Sequence, residues 1–209
     1  MLPTEIDPLP YDADALSPWI SRRTVETHRR IEHAYLTTLR RLVAGTPLAE
    51  RPIEELARDE RGNQREGAVG NLTGQLIAHA LMWRSLTPSG GLLPTSGTLA
   101  DVAERRGDML SLRRDLVARI AERQFGSGWV WLLAVRDTVD DWRLDVRGTP
   151  NAVVPMGVNE RRLLVVDVWE HAYLLDHGDR AAYVRAVVDH LLDWQAADER
   201  LTAAIKEHR

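Results

Sequence analysis

Four side chains of this 209-residue chain have the types and settings that hold a metal ion: His28, His79, Asp167 and His171. The stretch VVDVWEHAY, residues 165–173, delivers Asp167, Glu170 and His171 to the end of the apolar run RLLVVDVW. Ionisable groups at the end of a core strand are costly to bury unless a cation or a partner chain meets them. His28 and His79 each lie on the apolar stripe of a separate helical segment. Either one alone reads as a hydrogen-bonded core histidine. Together with an Asp and a His four residues apart, they form a three-histidine, one-carboxylate set that suits iron or manganese well and zinc less distinctively. The chain has no cysteine, which excludes disulfides, thiolate metal sites and cysteine nucleophiles. His33, His177, His190 and His208 lack such company, and the last three read as solvated surface histidines.

Gln75 precedes His79 by four residues and so lies one turn earlier on the same face. A polar amide there needs a partner, either in a cap or core hydrogen bond or in solvent bound to a metal. Tyr35, two turns beyond His28, has the same two readings. Trp83, Trp129, Trp131 and Trp169 are core aromatics on their own terms, and beside a metal they would also keep the site dry. Arg29 and Arg30 either line a solvated helix face or give an acidic protein a local positive field for a small anion.

The elements that must position these residues are legible in the periodicity. Residues 22–45 read as a helix, with Val25, His28, Tyr35, Leu39 and Leu42 on one stripe. The segment REGAVGNLTGQLIAHALMWRSL reads as a second helix, with Val69, Leu72, Leu76, His79 and Trp83 facing inward. TPSGGLLPTSGT, residues 87–98, is rich in Pro, Gly and Ser and marks a boundary between two domains, 1–90 and 91–209. Beyond it, residues 98–125 look helical with an interruption at Gly107. FGSGWVWLLAV, DDWRLDVRG and RRLLVVDVW then read as strands, and the tail from Ala181 as helix. A helical hairpin followed by helices around a small three-stranded antiparallel sheet is an α+β fold.

The 44% hydrophobic content supports a real core. A net charge of −4, with no basic stripe carrying interleaved aromatics, argues against a nucleic-acid partner. No run approaches the roughly 18 apolar residues of a membrane span, and the acidic, proline-rich start is unlike a signal peptide, so a cytoplasmic protein is expected.

Four blocks in order now carry a resemblance. LPYDADALSPWISRRTVETH, NLTGQLIAHALMW, FGSGWVWL and DVWEHAY resemble the iron/manganese superoxide dismutase family over nearly the full chain. The resemblance implies a mononuclear iron or manganese site held by His28, His79, Asp167 and His171, and a superoxide substrate. It implies Tyr35 as gateway and proton relay, Gln75 as the group tuning metal-bound solvent, and Trp83, Trp129, Trp131 and Trp169 as the cage. It also implies a homodimer or tetramer whose interface holds Glu170, Tyr173 and Arg180, with Glu170 reaching His171 of the partner subunit. The family separates iron from manganese types by where its glutamine originates. Gln75 fills the iron-type position and Ala152 the manganese-type one, which favours iron.

The departures lie in the first helix. HRRIEHAY is one residue shorter than the family pattern, Ile31 stands where the family places its gateway histidine, and Ala78 replaces a common asparagine. If the family helix is bulged here, the deletion restores a regular helix and shifts the tyrosine. Three functions are therefore carried forward: a dismutase, an iron-dependent oxidase or oxygenase acting on a larger organic substrate, and a non-enzymatic metal-binding descendant.

Overall fold

The computed structural model describes residues 2–59, 62–105, 107–138 and 141–208. Helix α1 (Arg22–Val43) starts at Ser21, whose hydroxyl accepts the Thr24 N–H, and runs without a bulge. After a 3-10 turn at Pro47–Glu50 and the short α2 (Ile53–Leu56), α3 (Gly67–Trp83) packs back against α1. Each of these two long helices thus turns one histidine toward the other.

The remaining helices frame the sheet. The segment expected to break at Gly107 does so: α4 (Thr98–Glu104) and α5 (Met109–Ala118) flank that glycine, whose φ of 141° suits a residue without a Cβ. A π-turn, Arg119–Arg123, ends α5. The sheet has strand order β2-β1-β3, all antiparallel, with β1 Gly128–Thr138, β2 Asp141–Pro150 and β3 Glu160–Asp167. The tail is two helices, α6 (Arg180–His190) and α7 (Trp194–Glu207). The α+β reading of the sequence holds.

Strand β1 is buried on both faces from Trp129 to Ala134, which explains its unbroken apolar run. Its register pairs Trp129 with Asp167, the last residue of β3. Directly opposed residues of an antiparallel pair share a face, so the carboxylate and the indole emerge together toward α1 and α3. The buried Ser85 just past α3 accepts the Val165 N–H, tying the helical hairpin to β3.

Two expectations need correction. Leu42 is 44% exposed rather than inward, and the buried arc of α1 runs through Val25, His28, Glu32, Leu36, Leu39 and Val43. His190 is exposed as expected but also packs its ring on another, and His177 and His208 are half-buried rather than solvated. His177 Nε2 bonds the Trp19 carbonyl at 2.8 Å, His190 stacks on the Trp19 ring at 3.7 Å, and His208 Nε2 accepts from Arg161 at 2.7 Å. Each offers a flat ring or a ring nitrogen to a group from a distant part of the chain, which sequence spacing does not reveal.

The start of α1 is also clipped from outside, since the Ser21 N–H donates to Asp176 Oδ2 at 2.7 Å. Burial acts to raise the Asp176 carboxyl, but its hydrogen bonds to Ser21 and Thr24 outweigh that and hold it below its ordinary value of 3.8. Its stabilising contribution is therefore present above that value and lost as pH falls through the lower folded one. Asp176→Ala is expected to cost about 1 kcal/mol at pH 7, the carboxylate being partly solvated. The gap from the parent protein in urea titrations should close below about pH 4. A gap unchanged at acid pH would exclude the clip.

Candidate metal centre

α1 brings His28, α3 brings His79, β3 ends in Asp167, and the 3-10 turn Glu170–Ala172 brings His171. One ligand atom from each lies within 4.8 Å of all the others. Asp167 Oδ2 is the focus, 3.0 Å from His28 Nε2, 3.4 Å from His171 Nε2 and 3.7 Å from His79 Nε2. Asp167 and His79 are fully buried, His28 nearly so, and the His171 side chain is 20% exposed.

The protonation pattern follows from the partners. His79 Nδ1 faces the Gln75 backbone carbonyl at 2.8 Å. A carbonyl only accepts, so Nδ1 carries the proton and Nε2 presents a bare lone pair to the site. Burial, against the pull of Asp167, takes His79 down to about 3 and also lowers His28. Burial acts to raise Asp167 as well, but the imidazoles of His171 and His28 drawn up to its carboxyl outweigh it and keep that carboxyl well below the usual carboxylate range. The result is an ionised carboxylate beside the neutral imidazoles of His28 and His79, the form in which such groups bind metal.

Ten buried side-chain polar atoms lack a hydrogen-bond partner among the described residues, and six belong to residues of this site: His28 Nδ1, Gln75 Oε1, His79 Nε2, Trp129 Nε1, Trp169 Nε1 and His171 Nε2. Buried polar atoms are normally paired. Their concentration around one buried carboxylate fits a cation with bound solvent at the centre, and three nitrogens with one carboxylate oxygen are a donor set for iron or manganese.

Around the ligands, Trp129 packs edge-on to His79 at 4.8 Å, Trp83 edge-on to His28 at 5.4 Å, and Trp169 lies 5.9 Å from His171. Trp131 stands one layer back, 6.3 Å from Trp129, with its N–H donated to Thr149 Oγ1. Tyr35 is half-buried with its ring 6.1 Å from that of His79, so the regular, shortened helix still brings the tyrosine to the site. Gln75 is buried on the turn before His79. A Cβ on Gly74, the residue before Gln75, would meet the Ala152 carbonyl, so the chain at Ala152 lies against this turn of α3. His33 is exposed and away from the ligands.

The sequence reading missed Glu32. It is 3% exposed, accepts the Trp83 indole N–H at 2.7 Å and pairs with Arg29 at 3.0 Å. Burial pushes it up to about 7 against the pull of Arg29 and the Trp83 N–H. Its spacing of four from His28 was the available signal.

Residues 4–87 match the family description "Iron/manganese superoxide dismutases, alpha-hairpin domain", and residues 94–200 match "Iron/manganese superoxide dismutases, C-terminal domain". This chain belongs to the iron/manganese superoxide dismutases. The chloroplastic superoxide dismutase (Fe) 3 of Arabidopsis thaliana is 36% identical over 198 residues, 93% of this chain and 74% of that one. Superoxide dismutase (Fe) of Nostoc sp. is 35% identical over 194 residues, 91% of this chain and 94% of its own. That of Coxiella burnetii is 38% identical over 182 residues, 86% and 89% respectively.

The residues expected at a superoxide dismutase interface adjoin one another here. Glu170 is exposed and accepts the Ser127 hydroxyl at 2.7 Å. Arg180 donates to the carbonyls of Gln124 at 2.6 Å and Gly126 at 2.9 Å. Tyr173 is buried, stacked on Tyr183 at 5.7 Å. Between the two carbonyls bound by Arg180, Phe125 is 97% exposed.

Proposed function

We propose that this protein is an iron superoxide dismutase, converting two superoxide ions and two protons to dioxygen and hydrogen peroxide at one iron held by His28, His79, Asp167 and His171. The convergence of these four side chains, with the bare Nε2 atoms of His79 and His171 aimed at one buried carboxylate oxygen, carries the reading. The names of the relatives add weight to iron, as does Gln75.

The bound iron would cycle between its trivalent and divalent states, taking an electron from one superoxide and giving it to the next. The protein's residues do the rest. Asp167 supplies the negative charge that favours the higher oxidation state, and the three imidazoles add none. The Gln75 amide, without a protein partner at Oε1, is placed to hydrogen-bond solvent at the site and so to set how tightly a proton is held there. Tyr35 guards the approach and hands on protons. Trp83, Trp129 and Trp169 exclude bulk water, with Trp131 backing Trp129.

An organic-substrate reading wants room beside Tyr35. A cavity of about 780 Å³ does exist, between the N-terminal segment, α1, α3 and residues 155–162, but its lining includes neither Tyr35 nor any of the four ligands. Nothing favours that reading over the dismutase.

We also read the chain as two domains, 1–90 and 91–209, working as a homodimer or a tetramer built from such dimers. Glu170, Tyr173, Arg180 and the exposed Phe125 would form the contact, and Glu170 would meet His171 of the partner subunit. No described helix is long and apolar enough to cross a membrane, and the cytoplasm is the compartment proposed. The deciding experiment is superoxide consumption by purified protein with iron and manganese quantified on the same sample. Consumption proportional to bound iron is expected, and full iron occupancy without consumption would overturn the reading.

A further inference from the structure

His28 differs from His79 in how its ring is held. Ligand histidines normally donate their second ring nitrogen to an outer acceptor, which fixes the ring's orientation. His79 does so to the Gln75 carbonyl, whereas His28 Nδ1 is buried without a partner among the described residues. With Nε2 turned to Asp167 and the centre of the site, ring packing is what holds the rest of the His28 ring. Its ring neighbours are His79 at 5.5 Å, His171 at 4.7 Å and Trp83 at 5.4 Å, the last standing at 87° to it. Trp83 is the one of these that is not a ligand.

Trp83 is itself held in a way that the other tryptophans packed directly on ligand histidines are not. The indole N–H groups of Trp129 and Trp169 are unpaired, whereas that of Trp83 is donated to Glu32 Oε1 at 2.7 Å. Glu32 lies one turn beyond His28 on α1, and its other oxygen accepts from Arg29 at 3.0 Å. Arg29 in turn bonds the Asp7 carbonyl of the N-terminal segment, and Asp7 pairs with Arg84 at the end of α3. Glu32 and Arg29 both line the cavity between these elements. A buried carboxylate is expensive, and an apolar residue of similar size would avoid that cost. Its retention here calls for a task that only an acceptor performs.

We propose that Glu32 is a positioning residue of the metal centre: by accepting the Trp83 N–H it fixes the ring that sets the orientation of His28, in place of the missing hydrogen bond at His28 Nδ1. The inference rests on the reading of His28 as a metal ligand and adds a residue to which no role has been given. Outer groups that orient a ligand are typically worth about 10- to 100-fold in metal affinity.

The test is ferrous-iron affinity, measured by chelator competition on the full-length protein and on Glu32→Leu, Glu32→Gln, Trp83→Phe and the Leu/Phe double variant. Glu32→Leu is expected to weaken binding about 10-fold, while Glu32→Gln, whose amide oxygen still accepts, stays within about 2-fold. Trp83→Phe, lacking the N–H, should match Glu32→Leu, and the double variant should lose no more than either alone, because the two act through one contact. The iron-free Glu32→Leu protein loses some stability with its two unpaired donors but should still unfold in one cooperative transition, as should iron-free Trp83→Phe, which separates a lost orientation from a lost fold. Affinity unchanged in Glu32→Leu or Trp83→Phe, or fully additive losses, would overturn the proposal, as would a Gln variant no better than Leu. If Glu32→Leu does not fold, Trp83→Phe against Glu32→Gln still decides. A parent protein that binds no iron would instead overturn the metal reading, and this proposal with it.

Discussion

Asp167→Ala and His79→Ala are each expected to strip the purified protein of iron and to lower superoxide consumption by more than about 100-fold, since residues that merely orient ligands already cost about 10- to 100-fold. Asp167 is the focus on which the three Nε2 atoms converge, and it supplies the only negative charge in the ligand set. His79 is the ligand whose lone pair is fixed from behind, by the Gln75 carbonyl. Losing the first removes the charge that balances the cation. Losing the second leaves two imidazoles and a carboxylate around a hole. Leu110→Ser, on an exposed position of α5, serves as the control that should keep both iron and activity. Iron content and superoxide consumption measured on the same preparations decide the matter, and undiminished consumption by an iron-replete ligand variant would remove the assignment.

Chelating the iron should lower the melting temperature by roughly 10 °C. A ligand present at about 1,000 times its dissociation constant stabilises the folded state by about 4 kcal/mol, and in a chain of this size each kcal/mol moves the transition by about 2–4 °C. The geometry makes the effect global, because two ligands sit on α1 and α3 while the other two end β3 and begin the turn after it. Without a cation, what joins these parts at the centre is a carboxylate and three imidazoles with several unpaired polar atoms. Calorimetry of loaded and stripped protein reads this directly. Equal transitions would mean that no metal bridges the hairpin and the sheet.

The four proposed ligands were legible because His28 and His79 interrupt apolar helical stripes and Asp167 and His171 cluster where an apolar strand ends, and such exceptions stand out in a sequence. Glu32 was not, because it sits inside HRRIEH, where a charged residue among charged neighbours looks like one more member of a solvated face. Helix phase decides the matter. The buried arc of α1 is centred between His28 and Leu36, and at about 100° per residue Glu32 falls inside it while Leu42 lies roughly 80° from its middle. Tyr35 lies nearer the edge than the centre, which is why it is half-buried and able to face both the ligands and the approach. Trp131 shares the face of Trp129 by alternation, but a two-residue step along the strand carries it one layer from the site. The partner of His177 and His190 is Trp19, in the loop before α1, and that of His208 is Arg161 at the start of β3, 47 positions away, so the spacing around each histidine carries no sign of them.

The hydrogen bond between His28 and Asp167 spans 139 positions of sequence. A ribosome therefore exposes the first two ligands long before the last two exist. A chain broken off ahead of residue 167 can form both hairpin helices and bury their faces, yet it offers an ion two nitrogens and no anion. A four-ligand pocket cannot guide the folding of the hairpin during synthesis, because half of it has not yet been made. Bound iron then reports that synthesis has passed residue 171 and that the two halves of the chain have folded onto each other.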